Sequence, residues 1–471
     1  MSAVDAAWLR MDRPTNLMMI CGMMILDGAL GLRQLRTLIR ERMLCLHRFR
    51  QRVVDVAGDP CWETDTDFDL DWHVRRIALP AGEATLEEVA GDLVSTALDP
   101  HKPMWQFHLV ETGGASALVI RIHHCYGDGF AMLHLVEAIT DADPARPGMA
   151  GNDLAPVQPA RSAWERVLGA AGETTGDALR LLRAAAGAGI GLLTDRAAAL
   201  DAARAGADLL VQAAVIADMT PDAPSRLKGD LGVMKKLAWA DPVPLSEVKA
   251  VAGVLGCSVN DVLVACIAGA LRAYLADRGD PVAGLDLRAL VPVNLRPAGR
   301  LAELGNHFGL VFLDLPIGIA EPVQRVLEVH RRMARLKQSQ QPLVAYGILA
   351  AMGMSPDFLR ERILQALAAN ASVVVTNVHG PDAPRYLAGR RIGRQIFWVP
   401  QSGGIGLGIS LLSYAGQVGF AVAADARRVP DPAAIPPLFA AQFEALLLST
   451  LMSPWPGQPG ADAAAGPAPA Q

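Results

Sequence analysis

The chain is poor in charged residues. They make up 19% of its 471 residues, whereas hydrophobic residues make up 51%, and the mean hydropathy is +0.25. This composition is more apolar than that of most soluble proteins and is compatible with lipid contact. The net charge of -5 and the pI near 6.1 provide no basic field of the kind that drives nucleic-acid binding. We therefore expect no nucleic acid as a partner.

The chain also lacks paired cysteines and a cationic N-terminus. Its six cysteines are scattered without a CxxC pair, the spacing typical of zinc sites and redox motifs. Acidic Asp5 and Asp12 stand beside Arg10 and Arg13 ahead of a short apolar run from Leu17 to Leu26, which is not the pattern of a signal peptide. These absences predict a reducing, cytoplasmic location and a buried strand near Leu17 to Leu26.

One stretch, from Gly403 to Ala424, has no charge and is long enough to be tested as a membrane span. Glycine alternates with apolar residues from Ile405 to Ile409, and Tyr414 to Gln417 carries a turn signal. We therefore predict two buried strands here, and any membrane association should be peripheral.

The segment with the most chemistry is HHCYGDG, from His123 to Gly129. Alternating apolar residues precede it, which predicts a β-strand that ends at the histidines. Successive side chains of a strand point to opposite faces, so His123 and His124 diverge, and His124 shares a face with Ile120 and Ile122. Only one histidine can then face a given reactant.

Asp128 and Gly129 predict a turn followed by a helix that begins near Phe130. Asp accepts hydrogen bonds from free backbone N–H groups at a helix start, and Gly tolerates unusual dihedrals. Two histidines near Cys125 and Asp128 also suggest a metal site. The divergence of the rings and the lack of a second Cys/His cluster argue against it, so we expect no metal.

Composition divides the chain into four segments. Residues 1–150 alternate strand-like and helical runs, and we predict a Pro/Asp-rich loop and an Ala-rich helical linker over 151–229, a second globular segment over 230–452 and a disordered tail over 453–471. The linker is either a connector packed on the cores or an apolar element that faces a membrane or covers substrate. In the second segment, Ser258 and Asp261 stand at capping-box positions of an apolar helix.

Taken together, these motifs resemble the wax ester synthase/diacylglycerol acyltransferase family of the chloramphenicol acetyltransferase-like superfamily. The HHxxxDG signature is shared across the superfamily. Further blocks are similar to those of this family: Ser2 to Leu9, Pro103-Met104-Trp105, Ser258 to Asp261, Val291 to Asn294, Gly305 to Gly309, and Thr376 to Pro381. The resemblance runs in order from residue 1 to about 452 and is weakest in the linker.

The resemblance implies an α/β fold: two chloramphenicol acetyltransferase-like domains with mixed β-sheets and flanking helices, and a substrate tunnel at their interface. It implies transfer of a long-chain acyl group from acyl-CoA to diacylglycerol, giving triacylglycerol, and/or to a fatty alcohol, giving a wax ester. Acyl-CoA is then a substrate and no cofactor is needed. The expected location is cytoplasmic, peripheral on the inner face of the membrane or on lipid inclusions.

Under this resemblance His124 is the general base, because an imidazole with an ordinary pKa of about 6.5 can take a proton from an alcohol. No covalent acyl-enzyme is then required. The resemblance nominates Asn260 to stabilise the oxyanion. Asp128 is expected to orient the loop, for example by pairing with Arg296, and Gly129 to permit the turn.

The remaining candidates support the site or contact substrate. His123 is expected to pack or hydrogen-bond behind the base. Substrate contacts are predicted for Pro103, Trp105, Cys125, Tyr126 and Asp261.

Two other functions stay open at this point. One is an acyltransferase of the same superfamily that moves a carrier-bound acyl group to a hydroxyl of a polyketide or another secondary metabolite. The other is a non-catalytic lipid-binding relative. The blocks around Trp105 and Asn260 favour the lipid family, and the intact set of His124, Asp128 and Asn260 favours an enzyme.

Overall fold

A computed structural model describes residues 1–56, 58–79, 85–144, 220–295, 305–337, 345, 348, 369–401 and 403–452. Most of the predicted linker, residues 151–219, lies outside the described residues. The predicted tail, residues 453–471, and Arg296 also lie outside them.

The described helices follow the apolar periodicity of the sequence. In chain order they are α1 (Ala3–Met11), α2 (Leu32–Arg42), α3 (Leu70–His73), α4 (Leu86–Val94), α5 (Gly129–Ile139), α6 (Leu245–Leu255), α7 (Val259–Ala276), α8 (Pro322–Lys337) and α9 (Ile435–Met452). α7 begins with the predicted capping box, in which Ser258 and Asp261 satisfy each other's backbone N–H groups.

The strands are short and mostly buried. They are β1 (Met19–Leu26), β2 (Gln51–Val56), β3 (Asp59–Thr64), β4 (Val74–Ala78), β5 (Trp105–Glu111), β6 (Ser116–His123), β7 (Lys235–Trp239), β8 (Val243–Pro244), β9 (Leu287–Asn294), β10 (Phe308–Leu315), β11 (Val373–His379), β12 (Tyr386–Leu387), β13 (Arg390–Trp398), β14 (Leu407–Tyr414) and β15 (Gln417–Asp425). The two strands predicted between Gly403 and Ala424 are confirmed as β14 and β15.

The first sheet has the strand order β12-β13-β1-β6-β5-β4. β1 is antiparallel to β6 on one side and to β13 on the other. β12 and β13 come from the second half of the chain and cross over to this sheet. The division into residues 1–150 and 230–452 did not anticipate the exchange, because pairing between distant strands leaves no local signature in the sequence.

The second sheet has the order β10-β9-β11-β14-β15-β7, and β8 pairs with β15. β11 runs parallel to β9 and β14, whereas the other pairs are antiparallel, so the sheet is mixed. Helices α6 to α9 pack in its main apolar core. The predicted mixed α/β fold is confirmed.

Apolar residues also join the two sheets. Met19 and Cys21 of β1 and Val119 of β6 share a buried cluster with Leu237 and Ala421 of the second sheet. The two halves are therefore held together by burial of apolar surface as well as by the crossing hairpin.

Two described segments are apolar and long enough to span a membrane by length and composition alone: α7 and the segment Pro432–Met452, which includes α9. Of the residues of α7, 72% are buried inside the protein. It is apolar on all sides because it packs against the second sheet and neighbouring helices, as a core helix does.

Candidate active site

The HHxxxDG segment forms the junction between β6 and α5. β6 ends at His123, and His124 to Tyr126 form one 3-10 turn. Asp128 caps α5, since its Oδ1 accepts from the backbone N–H groups of Phe130 and Ala131 at 3.1 and 3.0 Å. The predicted order of strand, tight loop and helix is observed.

The predicted orientation of His124 was wrong. The strand stops one residue before His124, so the alternation of side chains does not reach it. Ile120 and Ile122 belong to the core of the first sheet. The ring of His124 packs instead against Trp8 of α1 and Phe308 of β10.

A hydrogen bond from the second half of the chain fixes the proton on His124. The Asn306 side chain donates through Nδ2 to the backbone oxygen of His124 at 2.7 Å and to Asp5 Oδ1 at 2.8 Å. Its Oδ1 therefore accepts, and it lies 2.8 Å from His124 Nδ1. Nδ1 carries the proton, and Nε2 keeps a free lone pair.

Asp5 holds Asn306 in this orientation. Besides accepting from the Asn306 side chain, Asp5 Oδ1 accepts from the Asn306 backbone N–H at 3.2 Å. Asp5, Asn306 and His124 are 4%, 2% and 6% exposed, so the chain of hydrogen bonds is shielded from water. Sequence reasoning placed Asp5 and Asn306 in family blocks but assigned them no role.

Burial lowers the pKa of His124 below its ordinary value. The negative charges of Asp128 and Asp5 and the hydrogen bond with Asn306 oppose this effect. The ring is therefore neutral near pH 7, which is the form that a general base needs.

Trp8 forms a wall of the site. Its indole stacks on the imidazole of His124, with ring centroids 4.0 Å apart and planes 13° from parallel. Phe308 approaches both rings at 5.6 Å. The imidazole is thus held by stacking on its face and by a hydrogen bond at Nδ1.

Asp128 also joins the two halves of the chain. Its Oδ2 accepts from the backbone N–H of His307 at 2.9 Å, and its own N–H donates to the oxygen of Gly305 at 3.3 Å. These contacts give Asp128 the loop-orienting position expected for it. Its proposed partner Arg296 lies outside the described residues.

His123 is buried and hydrogen-bonds within its own turn. Its Nδ1 accepts from the backbone N–H of Cys125 at 3.1 Å, and its Nε2 is 3.9 Å from Asp12 Oδ1. Burial, assisted by His124, lowers the pKa of His123 to about 3. His123 is consequently a neutral, buried support.

The glycine that the turn requires is Gly127, not Gly129. A Cβ at Gly127 would lie 2.8 Å from the Cβ of Ala131, closer than side chains approach. A Cβ at Gly129 would meet nothing within 4 Å. Gly129 instead lines an apolar cavity between α5 and the first sheet.

Four of the predicted substrate contacts are core residues. The hydroxyl of Tyr126 accepts from the N–H of Met104 and donates to the oxygen of Gln51 at 2.6 Å, so it ties the Pro-Met-Trp block to the catalytic turn. Trp105 is fully buried and donates through its indole N–H to the oxygen of Phe49. The other two buried residues are Pro103 and Cys125.

Asn260 has a hydrogen-bond partner in the second half of the chain. Asn260 lies in the first turn of α7, and its Oδ1 accepts from Asn377 Nδ2 of β11 at 3.0 Å. Asp261 is 1% exposed and accepts from His330 at 2.8 Å. No hydrogen bond among the described residues joins Asn260 to His124, so its oxyanion role stays a prediction.

An apolar cavity begins beside the HHxxxDG turn, His123 to Gly129. It has an empty volume of about 670 Å³, counted with its open side. One wall is the face of β1, β6 and β13, the opposite wall is α5, and Val378 and Leu412 of the second sheet complete it. Its lining reaches Gly129, next to Asp128, and Ile122, two residues before His124.

The described residues contain no group of three or more His, Cys, Asp or Glu side chains placed to hold a metal ion. The buried imidazole of His124 lies two residues along the chain from the lining of the apolar cavity.

Comparison with solved structures supports the fold. A wax ester synthase/diacylglycerol acyltransferase from Marinobacter aquaeolei VT8 is 22% identical, with a TM-score of 0.67 over 95% of this chain and 98% of that chain. The first condensation domain of the calcium-dependent antibiotic synthetase is 16% identical, with a TM-score of 0.58 over 96% of this chain and 95% of its own.

Comparison of the sequence identifies the family as well as the fold. Two proteins of Mycobacterium tuberculosis, the probable diacylglycerol O-acyltransferases tgs1 and tgs2, are 30% and 31% identical. The matches cover 82% and 81% of this chain and 80% and 83% of those proteins. The model of the wax ester synthase/diacylglycerol acyltransferase catalytic domain matches residues 1–263, and that of the family's C-terminal domain matches residues 304–447. The chain belongs to the wax ester synthase/diacylglycerol acyltransferase family.

Proposed function

We propose that this chain transfers a fatty acyl group from acyl-CoA to the hydroxyl of diacylglycerol and/or a fatty alcohol. The observation that carries the proposal is His124: a buried imidazole whose Nδ1 proton is fixed by Asn306, beside a cavity lined almost wholly by apolar side chains. An alkyl chain gains about 0.8 kcal/mol for each methylene that it buries, so such a cavity suits a lipid substrate.

The mechanism uses His124 twice. Its Nε2 takes the proton from the acceptor hydroxyl as the oxygen attacks the thioester carbonyl. The tetrahedral intermediate collapses, the C–S bond breaks, and the same proton passes to the departing CoA thiolate. The products are an ester and free CoA, the imidazole is neutral again, and neither an acyl-enzyme nor a cofactor is needed.

Turnover with two acceptors tests this function. We expect the purified protein to release CoA from palmitoyl-CoA when hexadecanol or dioleoylglycerol is supplied and to form the matching ester. His124→Ala should lower turnover by about 10²- to 10⁴-fold without unfolding the protein. Thiol release and product chromatography measure both.

His123→Ala serves as a control for damage to the HHxxxDG turn. Asn260→Ala tests the oxyanion role, because the loss of one such donor costs about 2.7 to 4 kcal/mol of transition-state stabilisation. If neither acceptor yields ester, the lipid acyltransferase function is wrong.

We also propose peripheral contact with a membrane or with lipid inclusions on the cytoplasmic side. Leu448, Leu451 and Met452, at the end of α9, are 51%, 57% and 83% exposed, and they offer apolar surface to a lipid interface. Co-sedimentation with phosphatidylcholine vesicles that contain diacylglycerol tests this contact.

A further inference from the structure

A glycine occupies the middle of a buried central strand beside the cavity. β1 lies between β13 and β6, and Gly22 is its fourth residue. Glycine weakens a strand by about 0.5–1 kcal/mol relative to alanine and often marks a place where a ligand approaches the backbone. Gly22 is partly exposed, whereas Cys21 and Met23 on either side of it are buried.

The cavity accounts for this exposure. Gly22 shares its face of β1 with Ile20 and Met24, and all three line the cavity. On the neighbouring strands Gly22 pairs with Phe397 and Ile120, which also line it. The missing side chain therefore keeps open a space that α5 covers from the other side.

The backbone does not itself require a glycine at this position. Gly22 is not among the described glycines with positive φ. A Cβ built on Gly22 would lie 3.5 Å from the oxygen of Ile396 and 3.9 Å from the Cβ of Phe397, which are ordinary contacts. A larger side chain is thus compatible with the strand, and its outer atoms would occupy the cavity.

The strand register gives the distance from Gly22 to the HHxxxDG turn at the end of β6. Gly22 is level with Ile120, four residues before His124 along the chain. At about 3.3 Å per residue over the three strand steps from Ile120 to His123, Gly22 lies about 10 Å from the end of β6. Gly22 consequently lies at a depth that only a long alkyl chain extending from the reacting group reaches.

We propose that the cavity between β1 and α5 holds the alkyl chain of a substrate and that Gly22 sets the length of chain that it accepts. The proposal rests on the proposed acyltransferase function. The ligand chemistry is a straight alkyl chain, which belongs either to the acyl donor or to the alcohol acceptor.

The test is a valine at position 22. Gly22→Val should place its methyl groups in the cavity and exclude the distal methylenes of a long chain. Excluding about three or four methylenes predicts that kcat/KM falls about a hundredfold for the long chain, while short chains are unaffected. Gly22→Ala, which adds only the tolerated Cβ, is the matched control and should stay within about threefold of the wild type.

Two series of substrates identify the chain. In one, butyryl-, octanoyl-, dodecanoyl- and palmitoyl-CoA are compared with a fixed acceptor; in the other, alcohols of the same lengths are compared with palmitoyl-CoA. A shift in the first series assigns the cavity to the acyl donor, and a shift in the second assigns it to the acceptor. Unchanged length preference in both series, with an unchanged melting temperature, would overturn the proposal.

A second variant tests the same cavity if Gly22→Val does not fold. Phe397→Ala removes the ring directly opposite Gly22 and should extend the accepted chain length, and in the double variant it should restore long-chain activity to Gly22→Val. If Phe397→Ala does not change the length preference, the proposal is wrong.

Binding separates this proposal from the proposed function. Cis-parinaric acid, a fluorescent straight-chain fatty acid, should bind the wild type and should bind Gly22→Val at least tenfold more weakly. That result without any turnover would support the cavity and reject the transferase function. Equal binding to both proteins would reject the cavity.

Discussion

At the scale of single residues, the site depends on a proton that is held in place. Asn306 can hold the Nδ1 proton of His124 because both of its own N–H groups are used by other acceptors. His124 could be singled out from the HHxxxDG pattern. Its partner could not, because 182 residues separate Asn306 from His124 and no spacing rule connects them.

Asp5→Asn tests this chain of hydrogen bonds. The amide oxygen can still accept from Asn306, but the negative charge, which raises the pKa of His124, is lost. The pKa of His124 should therefore fall, and the acidic limb of the kcat/KM profile should move to lower pH, while kcat changes less than about tenfold. The pH dependence of CoA release measures the shift.

Asp27→Asn is the control for this experiment, because Asp27 is half-exposed and pairs with Arg391 away from the site. An acidic limb that stays in place, or that moves to higher pH, contradicts the role given to Asp5.

At the scale of secondary structure, the sequence was most informative where the signal is local. The strand that ends at the histidines, the cap of α5 at Asp128 and the capping box of α7 were predicted from alternation and cap residues. Helical spacing of apolar residues runs from Leu32 to Arg50 in the sequence, but α2 ends at Arg42 and a 3-10 turn covers His47 to Arg50. Periodicity locates an element well but its end poorly, since tertiary contacts decide where it stops.

The packing of α7 makes a sharp prediction about Gly269. A Cβ there would overlap the guanidinium of Arg325 from α8, which is 3% exposed and donates to Gln442 and to the oxygen of Ala320. Gly269→Ala should displace this buried cation from its partners and lower the free energy of unfolding by about 3–5 kcal/mol. Urea denaturation measures the change.

Gly253→Ala, in α6, is the matched control. A Cβ at Gly253 meets nothing within 4 Å, so this variant should be stabilised by up to about 1 kcal/mol through its higher helix propensity. Equal effects of the two substitutions would contradict the packing described for α7 and α8.

At the scale of the whole molecule, two buried histidines make stability depend on pH. Burial lowers the pKa of His108 to about 4 and that of His123 to about 3. The unfolded chain binds these protons near pH 6.5, so the stability is fully present above that pH and is lost as the pH falls toward 4 and 3. At pH 5 each histidine should cost about 2 kcal/mol.

The urea concentration at the midpoint of denaturation should accordingly decrease as the pH is lowered from 7 to 5. His108→Gln should remove part of this dependence, and His101→Gln, a change at a largely exposed side chain, should leave it intact. A midpoint that is flat across this range would show that the buried histidines do not control acid stability.

The hairpin of β12 and β13, which comes from the second half of the chain and joins the first sheet, has a consequence for synthesis on the ribosome. β1 and β6 emerge early, but β13, which covers the other side of β1, is made only at Arg390 to Trp398. At about 5–20 residues per second, the nascent chain waits on the order of ten to fifty seconds with an apolar strand edge unpaired. We therefore expect this edge to need protection during translation, for example by a chaperone that binds apolar segments.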